Sequence, residues 1–216
     1  MTGESRIPCG SDSLPDADAS VAGARQDVEK QAAEQANKAA LRKALRTARG
    51  ALEPAIKVQW DAQIGAQVMA WWRLRQVGSV GVYWPLAGEP DLRATYAELA
   101  KAGVQLCLPV VMERDAPLSF VEWTPGEAMI PDEMGVQVPA ELRFVSRPPA
   151  LLIPCLGFNA EGYRLGYGGG YYDRTLEQAP RPHTLGIAYS NQQAVFPHAS
   201  HDVALDVIVT EATRIT

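Results

Sequence analysis

Cysteine is scarce in this chain of 216 residues, and what there is does not pair: Cys9, Cys107 and Cys155 are odd in number and scattered. Such a set excludes a disulfide framework and reads as reduced thiols, two of them inside the apolar runs Leu106-Cys107-Leu108 and Ile153-Pro154-Cys155-Leu156. Histidine is scarcer in effect, because His198 and His201 stand three apart but no third ligand is spaced for zinc. A basic excess is also missing. The formal net charge of −5 argues against nucleic acid or a membrane surface as partner, since both require clustered positive charge. No apolar stretch approaches the roughly 18 residues of a membrane span, and the first part of the chain lacks the apolar centre of a secretory signal. The expected compartment is the cytoplasm, and any anion site has to be local.

What is present is a globular composition, 47% hydrophobic and 21% charged, enough to bury a sizeable core. Residues 1–25 are expected to form a flexible tail, because their Ser, Asp, Gly, Pro and Ala carry no periodicity. Residues 26–216 are expected to form a single α/β domain. It opens with a helix of good helix formers from about Gln26 to Arg49, stopped by Gly50. A second helix is expected from Pro54 to about Gln76, with Ile56, Trp60, Ile64, Val68 and Trp71 on one apolar stripe. A strand (Val80 to Trp84), a helix starting near Asp91 and a strand (Val104 to Val111) then predict a parallel pair with a right-handed crossover. Between Leu118 and Pro149, Ser119 to Trp123 reads as a short strand and the rest as an irregular connection or flap. Strands follow at Ala150 to Ile153, Thr184 to Tyr189 and Val207 to Thr210, with a helix over Gly170 to Gln178. The sum is an open, mostly parallel sheet with flanking helices.

Chemistry concentrates in Arg164-Leu165-Gly166-Tyr167-Gly168-Gly169-Gly170-Tyr171-Tyr172-Asp173, ten residues with four glycines and three tyrosines. Glycines let backbone N–H groups converge on one anion, Arg164 adds permanent positive charge, and Asp173 is placed to hold a metal. The segment follows a strand and precedes a helix, which is where open parallel sheets bind ligands. It is neither a Walker nor a Rossmann loop, and a bare strand-to-helix connection would also use its glycines.

Lys38, Arg42, Lys43, Arg46 and Arg49 place five positive charges in twelve residues with no acid among them. Lys38 and Arg42 share a helical face and can reach one polyphosphate; a solvated face with snorkelling side chains is the alternative. In the loop after the first strand, Trp84 has the shape to stack on a flat heterocycle and Glu89 the oxygens to accept from its N–H groups, while Trp84 also reads as core and Asp91 as a helix cap. Asp206, opening the last strand, either caps a turn or joins Asp173 around Mg²⁺, a cation that keeps several waters and needs one or two carboxylates beside phosphates.

Together, Lys38-Ala-Ala-Leu-Arg42, Trp84 to Asp91, Trp123-Thr124-Pro125-Gly126, Arg164 to Asp173 and His201-Asp202 to Glu211 resemble the 5-formyltetrahydrofolate cyclo-ligase (methenyltetrahydrofolate synthetase) family, in the family's order over about Lys38 to Glu211. The resemblance implies a cyclo-ligase domain of NagB/RpiA/CoA-transferase-like architecture. It also implies an ATP- and Mg²⁺-dependent cyclisation of 5-formyltetrahydrofolate to 5,10-methenyltetrahydrofolate with release of ADP and phosphate. In that chemistry ATP phosphorylates the formyl oxygen, N10 of the same folate attacks the activated carbon, and phosphate leaves. The second step is intramolecular, so the protein's task is positioning and charge neutralisation.

Carried over by position, Lys38 and Arg42 match residues that hold ATP phosphates, and Arg164, Leu165, Gly166, Tyr167, Gly168, Gly169, Gly170, Tyr171 and Tyr172 match the nucleotide loop. Trp84 and Glu89 match folate contacts, and Tyr167 to Tyr171 overlap the place where formyl group and γ-phosphate meet. Lys38, Arg164 and Tyr171 are the implied catalytic groups, and Asp173 and Asp206 the implied Mg²⁺ ligands. The expected partners are folate and ATP, with no nucleic acid or membrane, on a monomer or weak oligomer. Arg147-Pro148-Pro149 and Asn159 depart from the family pattern. A metabolite sensor without turnover, or a relative acting on another phosphorylated substrate, are the rival readings.

Overall fold

In the computed structural model, residues 17–200 and 202–215 are described, with side chains from Glu29 onward except that of Gln31. The chain divides after Ala40 into two compact units. The first consists, in its described part, of helix: α1 runs from Ala17 to Gly50 and so extends across the division. Of the expected tail, residues 1–16 lie outside the described residues. Residues 17–25 are helical, consistent with the four alanines that Ala17, Ala19, Ala22 and Ala24 contribute.

The second unit is built on an eight-stranded sheet in the order β12-β11-β10-β7-β1-β2-β3-β6. Its members are β1 (Ser79–Gly81), β2 (Gln105–Val110), β3 (Ser119–Trp123), β6 (Phe144–Val145), β7 (Ala150–Pro154), β10 (His183–Ile187), β11 (Val207–Val209) and β12 (Arg214–Ile215). The five strands from β11 to β2 are parallel, with Leu185 opposite Val207, Leu152 opposite Leu185, and Val80 opposite Leu106. β3, β6 and β12 close the two sides antiparallel. Two further hairpins, β4 (Met129–Pro131) with β5 (Gln137–Pro139) and β8 (Gly157–Phe158) with β9 (Arg164–Leu165), stand outside this sheet. The open, mostly parallel α/β sheet is therefore as expected, while the segment from Leu118 to Pro149 is more ordered than its prolines and glycines suggest.

Alternation along the strands divides the core between the two faces of the sheet. Val80, Leu106, Leu108, Leu152, Leu185, Ile187, Val207 and Val209 pack with Ile64, Val68 and Trp71 of α2 (Pro54–Arg75) and with Tyr96 and Leu99 of α3 (Arg93–Lys101). Cys107, Leu151, Ile153 and Ile208 face the other way, toward Leu176 of α4 (Tyr171–Glu177). Helix α2 begins where Glu53 accepts from the N–H groups of Ala55 and Ile56 and Pro54 fills the first turn. It ends on Gln76 in the left-handed conformation, φ 49°. Its expected stripe starts one turn too early, for Ile56 is 39% exposed whereas Ile64, Val68 and Trp71 are buried. Strand β1 is shorter than expected because the chain leaves the ladder at Val82, after one last bond from its N–H to the Cys107 carbonyl at 2.8 Å.

The remaining cluster fixes the later part of α1 within the second unit. Leu41 and Leu45 pack with Leu156, Leu165 and Phe196 beneath the β8–β9 hairpin. The hairpin approaches so closely that a Cβ on Gly157 would stand 2.6 Å from a Leu45 methyl. Its turn is tied by Asn159, whose side-chain oxygen accepts from the N–H groups of Glu161 and Tyr163 at 3.1 and 2.9 Å. The family departure at Asn159 thus keeps a turn-forming side chain.

Candidate active site

The loops at the carboxyl ends of the parallel strands converge, as an open α/β sheet requires. The turn Leu86–Glu89 follows β1, the glycine loop follows β7 by way of the β8–β9 hairpin, and Tyr189 and Glu211 follow β10 and β11. Gly168 (φ 104°) and Gly170 (φ 65°) hold backbone conformations that a Cβ would strain, and Gly170 caps α4. A cleft of about 280 Å³ is lined by Gly168, Gly169 and Gly170, by the carboxylates of Asp115, Asp173 and Glu177, and by Arg174. Arg174 donates to the Gly169 carbonyl at 2.6 Å and its guanidinium lies 5.5 Å from the Tyr171 ring centre, so both residues shape this wall.

Arg164 and Asp173 bracket the loop and meet through Nη2 and Oδ2 at 2.7 Å, with side chains only 6% and 16% exposed. The Arg164 guanidinium lies 5.3 Å from the Tyr172 ring centre, and its Nε is buried without a protein partner. A donor is therefore left over beside the glycines. Burial pushes the Tyr172 hydroxyl up, only partly opposed by the Arg164 charge. On the other side of the loop, Arg42 donates from Nε to the Gly166 carbonyl at 2.9 Å.

Glu89 is buried to 2% exposure, and its turn curls onto it: Oε2 accepts from the Leu86 N–H at 2.8 Å. Oε1 accepts from the hydroxyl of Tyr167, which in turn accepts from Nη1 of Arg49 at 2.9 Å. Desolvation first, and then the Glu89 charge, raise the Tyr167 hydroxyl well above its ordinary range, so at neutral pH it remains a donor. Trp84 is half-buried, edge-on to Trp123 with ring centres 5.9 Å apart and with Arg93 5.4 Å from its own ring centre. Asp91 stands one residue before Leu92, the N-cap of α3, and accepts from the Arg93 N–H at 3.1 Å.

Trp84, Glu89, Arg164, Leu165, the four loop glycines, the three loop tyrosines and Asp173 thus come from β9, the first turn of α4 and the loops at one end of the sheet, and Arg42 of α1 reaches them through the Gly166 carbonyl. Leu165 itself points into the core. Lys38 belongs to the first unit. Asp206 is the correction. It precedes β11, so it sits at the amino end of the strands, where its carboxylate accepts from the Thr184 N–H and its own N–H donates to the Thr184 hydroxyl, each at 2.8 Å. Arg181 lies 3.5 Å from its other oxygen. The carboxylates of Asp173 and Asp206 are held at opposite ends of the sheet, and no shared cation site forms between them. His198 stacks on Tyr163 with ring centres 4.1 Å apart, and His201 lies outside the described residues.

Sequence reasoning missed Arg49, counted only as one charge of a basic run. The signal was available: Arg42, Leu45 and Arg49 are spaced by three and four residues and share a helical face. It also missed the cluster behind the site, where Tyr189 donates to Asp61 at 2.5 Å, Lys57 pairs with Asp61 at 2.7 Å, and Glu211 accepts from the Ser190 N–H at 3.0 Å.

A family model described as the 5-formyltetrahydrofolate cyclo-ligase family matches residues 34–211. Among curated proteins, the 5-formyltetrahydrofolate cyclo-ligase of Mycoplasma pneumoniae is 30% identical over 178 residues, covering 81% of this chain and 99% of the relative. That of Escherichia coli K12 is 29% identical over 174 residues, covering 77% and 96%. Among solved structures, the 5,10-methenyltetrahydrofolate synthetase of Mycoplasma pneumoniae aligns with a TM-score of 0.68 at 28% identity, covering 81% of this chain and 98% of that one. The Aquifex aeolicus 5,10-methenyltetrahydrofolate synthetase aligns with a TM-score of 0.71 at 28% identity, covering 82% and 91%. The glycine–tyrosine loop, the buried glutamate facing it and a match that runs from the first helix to the last parallel strand lead to one conclusion: this chain belongs to the 5-formyltetrahydrofolate cyclo-ligase family.

Proposed function

We propose that this protein catalyses the ATP-dependent cyclisation of 5-formyltetrahydrofolate to 5,10-methenyltetrahydrofolate, with release of ADP and phosphate, in one-carbon folate metabolism. The observation that carries the reading is the hydrogen bond between Tyr167 of the glycine loop and Glu89 of the turn after β1. It joins the segment suited to polyphosphate to the segment suited to a pterin. A ligand spanning both would have its reacting groups where phosphoryl transfer needs them, and proximity is the main term in such a reaction.

In this reading Arg42, Arg164 with its spare Nε, and the N–H groups of Gly168 to Gly170 bind the ATP phosphates, joined by Lys38 on the family match. Trp84 and Glu89 hold the folate, Glu89 accepting from ring and amino N–H groups once Tyr167 yields its oxygen. Tyr167 and Tyr171 face the meeting point of formyl oxygen and γ-phosphate. Because the activated carbon is attacked by a nitrogen of the same ligand, no side chain has to act as nucleophile.

Mg²⁺ suits this cleft. Asp173 lines it with Asp115 and Glu177, and among the described residues no group of three or more metal-ligating side chains stands close enough to hold an ion alone. Such a donor set fits a hard cation bound jointly with substrate phosphates, where it neutralises phosphoryl charge. Asp173 is the residue that would hold it. No described helix is long and apolar enough to cross a membrane, and a cytoplasmic monomer or weak oligomer fits the proposal.

Incubation with folinate, ATP and Mg²⁺ should produce the near-ultraviolet absorbance of the methenyl product. Folded protein that binds ATP but forms no product would overturn the folate assignment.

A further inference from the structure

Arg49 is the most buried cation beside the site, 3% exposed, and it has no place in the phosphate-binding set described above. Its guanidinium reaches two segments far apart in sequence. Nη1 donates to the Tyr167 hydroxyl at 2.9 Å, Nη2 donates to the Ala87 carbonyl at 3.2 Å, and Nη1 stands 3.8 Å from Glu89 Oε1. The turn lies against the guanidinium throughout, since a Cβ on Gly88 would stand 3.4 Å from Arg49 Nε. Arg49 is also in the last turn of α1, where the free helix carbonyls favour a cation.

We propose that Arg49 is a positioning residue that clamps the folate-binding turn Leu86–Glu89 to the nucleotide loop through Tyr167, fixing the two half-sites in one geometry. The inference rests on the proposed activity for the identity of the two ligands, but the clamp itself rests on these contacts. Planarity is the physical reason an arginine is needed. One guanidinium presents donors in a fixed fork, so satisfying Tyr167 and Ala87 together sets the direction between them, whereas a lysine ammonium supplies charge without that fork. Arg46 lies beside the same ring, its guanidinium 5.6 Å from the Tyr167 ring centre, but it is exposed and makes no bond to the Leu86–Glu89 turn. Arg49 does not touch the reacting atoms in this arrangement. Its effect on catalysis passes through Glu89 and Tyr167, and a small displacement at either is enough to lower the rate by up to about a hundredfold.

The test uses Arg49→Lys, which keeps the charge, alongside Arg49→Met. Hydrogen exchange of the full-length protein without ligand should be faster in Arg49→Lys at both Leu86–Glu89 and Gly166–Gly170, with β7 and β10 unchanged. In steady state, Arg49→Lys should raise the folinate KM and lower kcat, each by about tenfold, as expected for loss of one charge-assisted hydrogen bond. In a Glu89→Gln background the same change should add little to the folinate KM, because the clamped carboxylate is already gone. Arg49→Lys protein that folds yet leaves exchange unaltered at either segment overturns the clamp, as does an equal additional loss in both backgrounds. If Arg49→Met fails to fold, Arg49→Lys decides. If wild-type protein forms no methenyl product, the exchange measurement still upholds or overturns the clamp, so the two failures remain distinct.

Discussion

The Arg164 guanidinium and the Asp173 carboxylate, on either side of four glycines, close the glycine loop at 2.7 Å. The pair puts the candidate cation ligand and a candidate phosphate ligand in direct contact, so each sets the other's position as well as its charge balance.

Asp173→Asn tests that arrangement. Removing the carboxylate leaves Arg164 largely enclosed without its counter-charge, and the variant should lose about 1–3 kcal/mol of stability in urea denaturation while retaining its circular dichroism. Mg²⁺-dependent turnover should fall by roughly a hundredfold or more, the scale of losing one preorganised electrostatic contact. Unchanged kinetics would place the metal elsewhere.

Glu89→Gln addresses the folate side. The amide keeps the shape but replaces a charged acceptor of the Leu86 N–H and the Tyr167 hydroxyl. Hydrogen bonds to charged groups contribute about 1.5–3 kcal/mol, so the folinate KM should rise about tenfold or more. The ATP KM should change much less, and an equal rise in both would contradict the division of labour between the two loops.

Arg147, one of the departures from the family pattern, has a structural task. It donates to the carbonyls of Thr175 and Gln178 at 2.5 and 3.0 Å and also to that of Pro180, satisfying the carboxyl end of α4. Arg147→Ala should cost about 1–2 kcal/mol by denaturant titration, because those carbonyls lose a charge-assisted partner. A shift in the midpoint too small to measure would mean that solvent replaces the side chain fully.

Cys155 supplies a pH dependence with a definite sign. Burial pushes its thiol up to about 12, against the opposing charge of Arg164, and burial raises Cys107 as well. The native state therefore holds protons that the unfolded chain releases. Stability from this source is complete below the unfolded thiol pKa of about 8.5 and is lost as pH rises toward the native value. Denaturation midpoints should fall more steeply between about pH 8.5 and 11 for wild type than for Cys155→Ala. In a Cys9→Ser background, thiol reagents at pH 8 should label the native protein slowly and the unfolded protein at once.

Much of this fold was legible because its elements carry clear punctuation. Pro54 opens α2 and Gly78 stands three residues past its end at Arg75, and Leu92, Tyr96 and Leu99 mark the buried face of α3. Strand β7 is a continuous apolar stretch, and β3 buries Phe120, Val121 and Trp123 around the half-buried Glu122. The β4–β5 hairpin was not legible, since three-residue strands ending in Pro131 and Pro139 give too little alternation to register. Ile56 shows the limit of periodicity, which identifies a face but not where its cover ends.

At the site, the loop could be read because glycine, tyrosine, arginine and aspartate have few joint uses in so short a span. Arg49 could not be separated from four neighbouring cations by charge alone, and only its three-and-four spacing to Leu45 and Arg42 marks it. The Asp173–Asp206 pairing failed for a reason visible in chain order. A residue that follows a parallel strand lies at the ligand-binding end, and one that precedes a strand lies at the other.

The reciprocal bonds between Asp206 and Thr184 thereby acquire a different meaning. Two parallel strands that are not joined by a short turn can slide, and a slip of one residue would turn Val207 and Val209 away from α2 and drive Ile208 into their place. By locking backbone to side chain in both directions at the first rung, the pair acts as a registration pin for the far edge of the sheet. Its loss would be felt as a mixture of alignments reached during folding, with Tyr189 and Glu211 displaced along the strand axis, rather than as a missing charge.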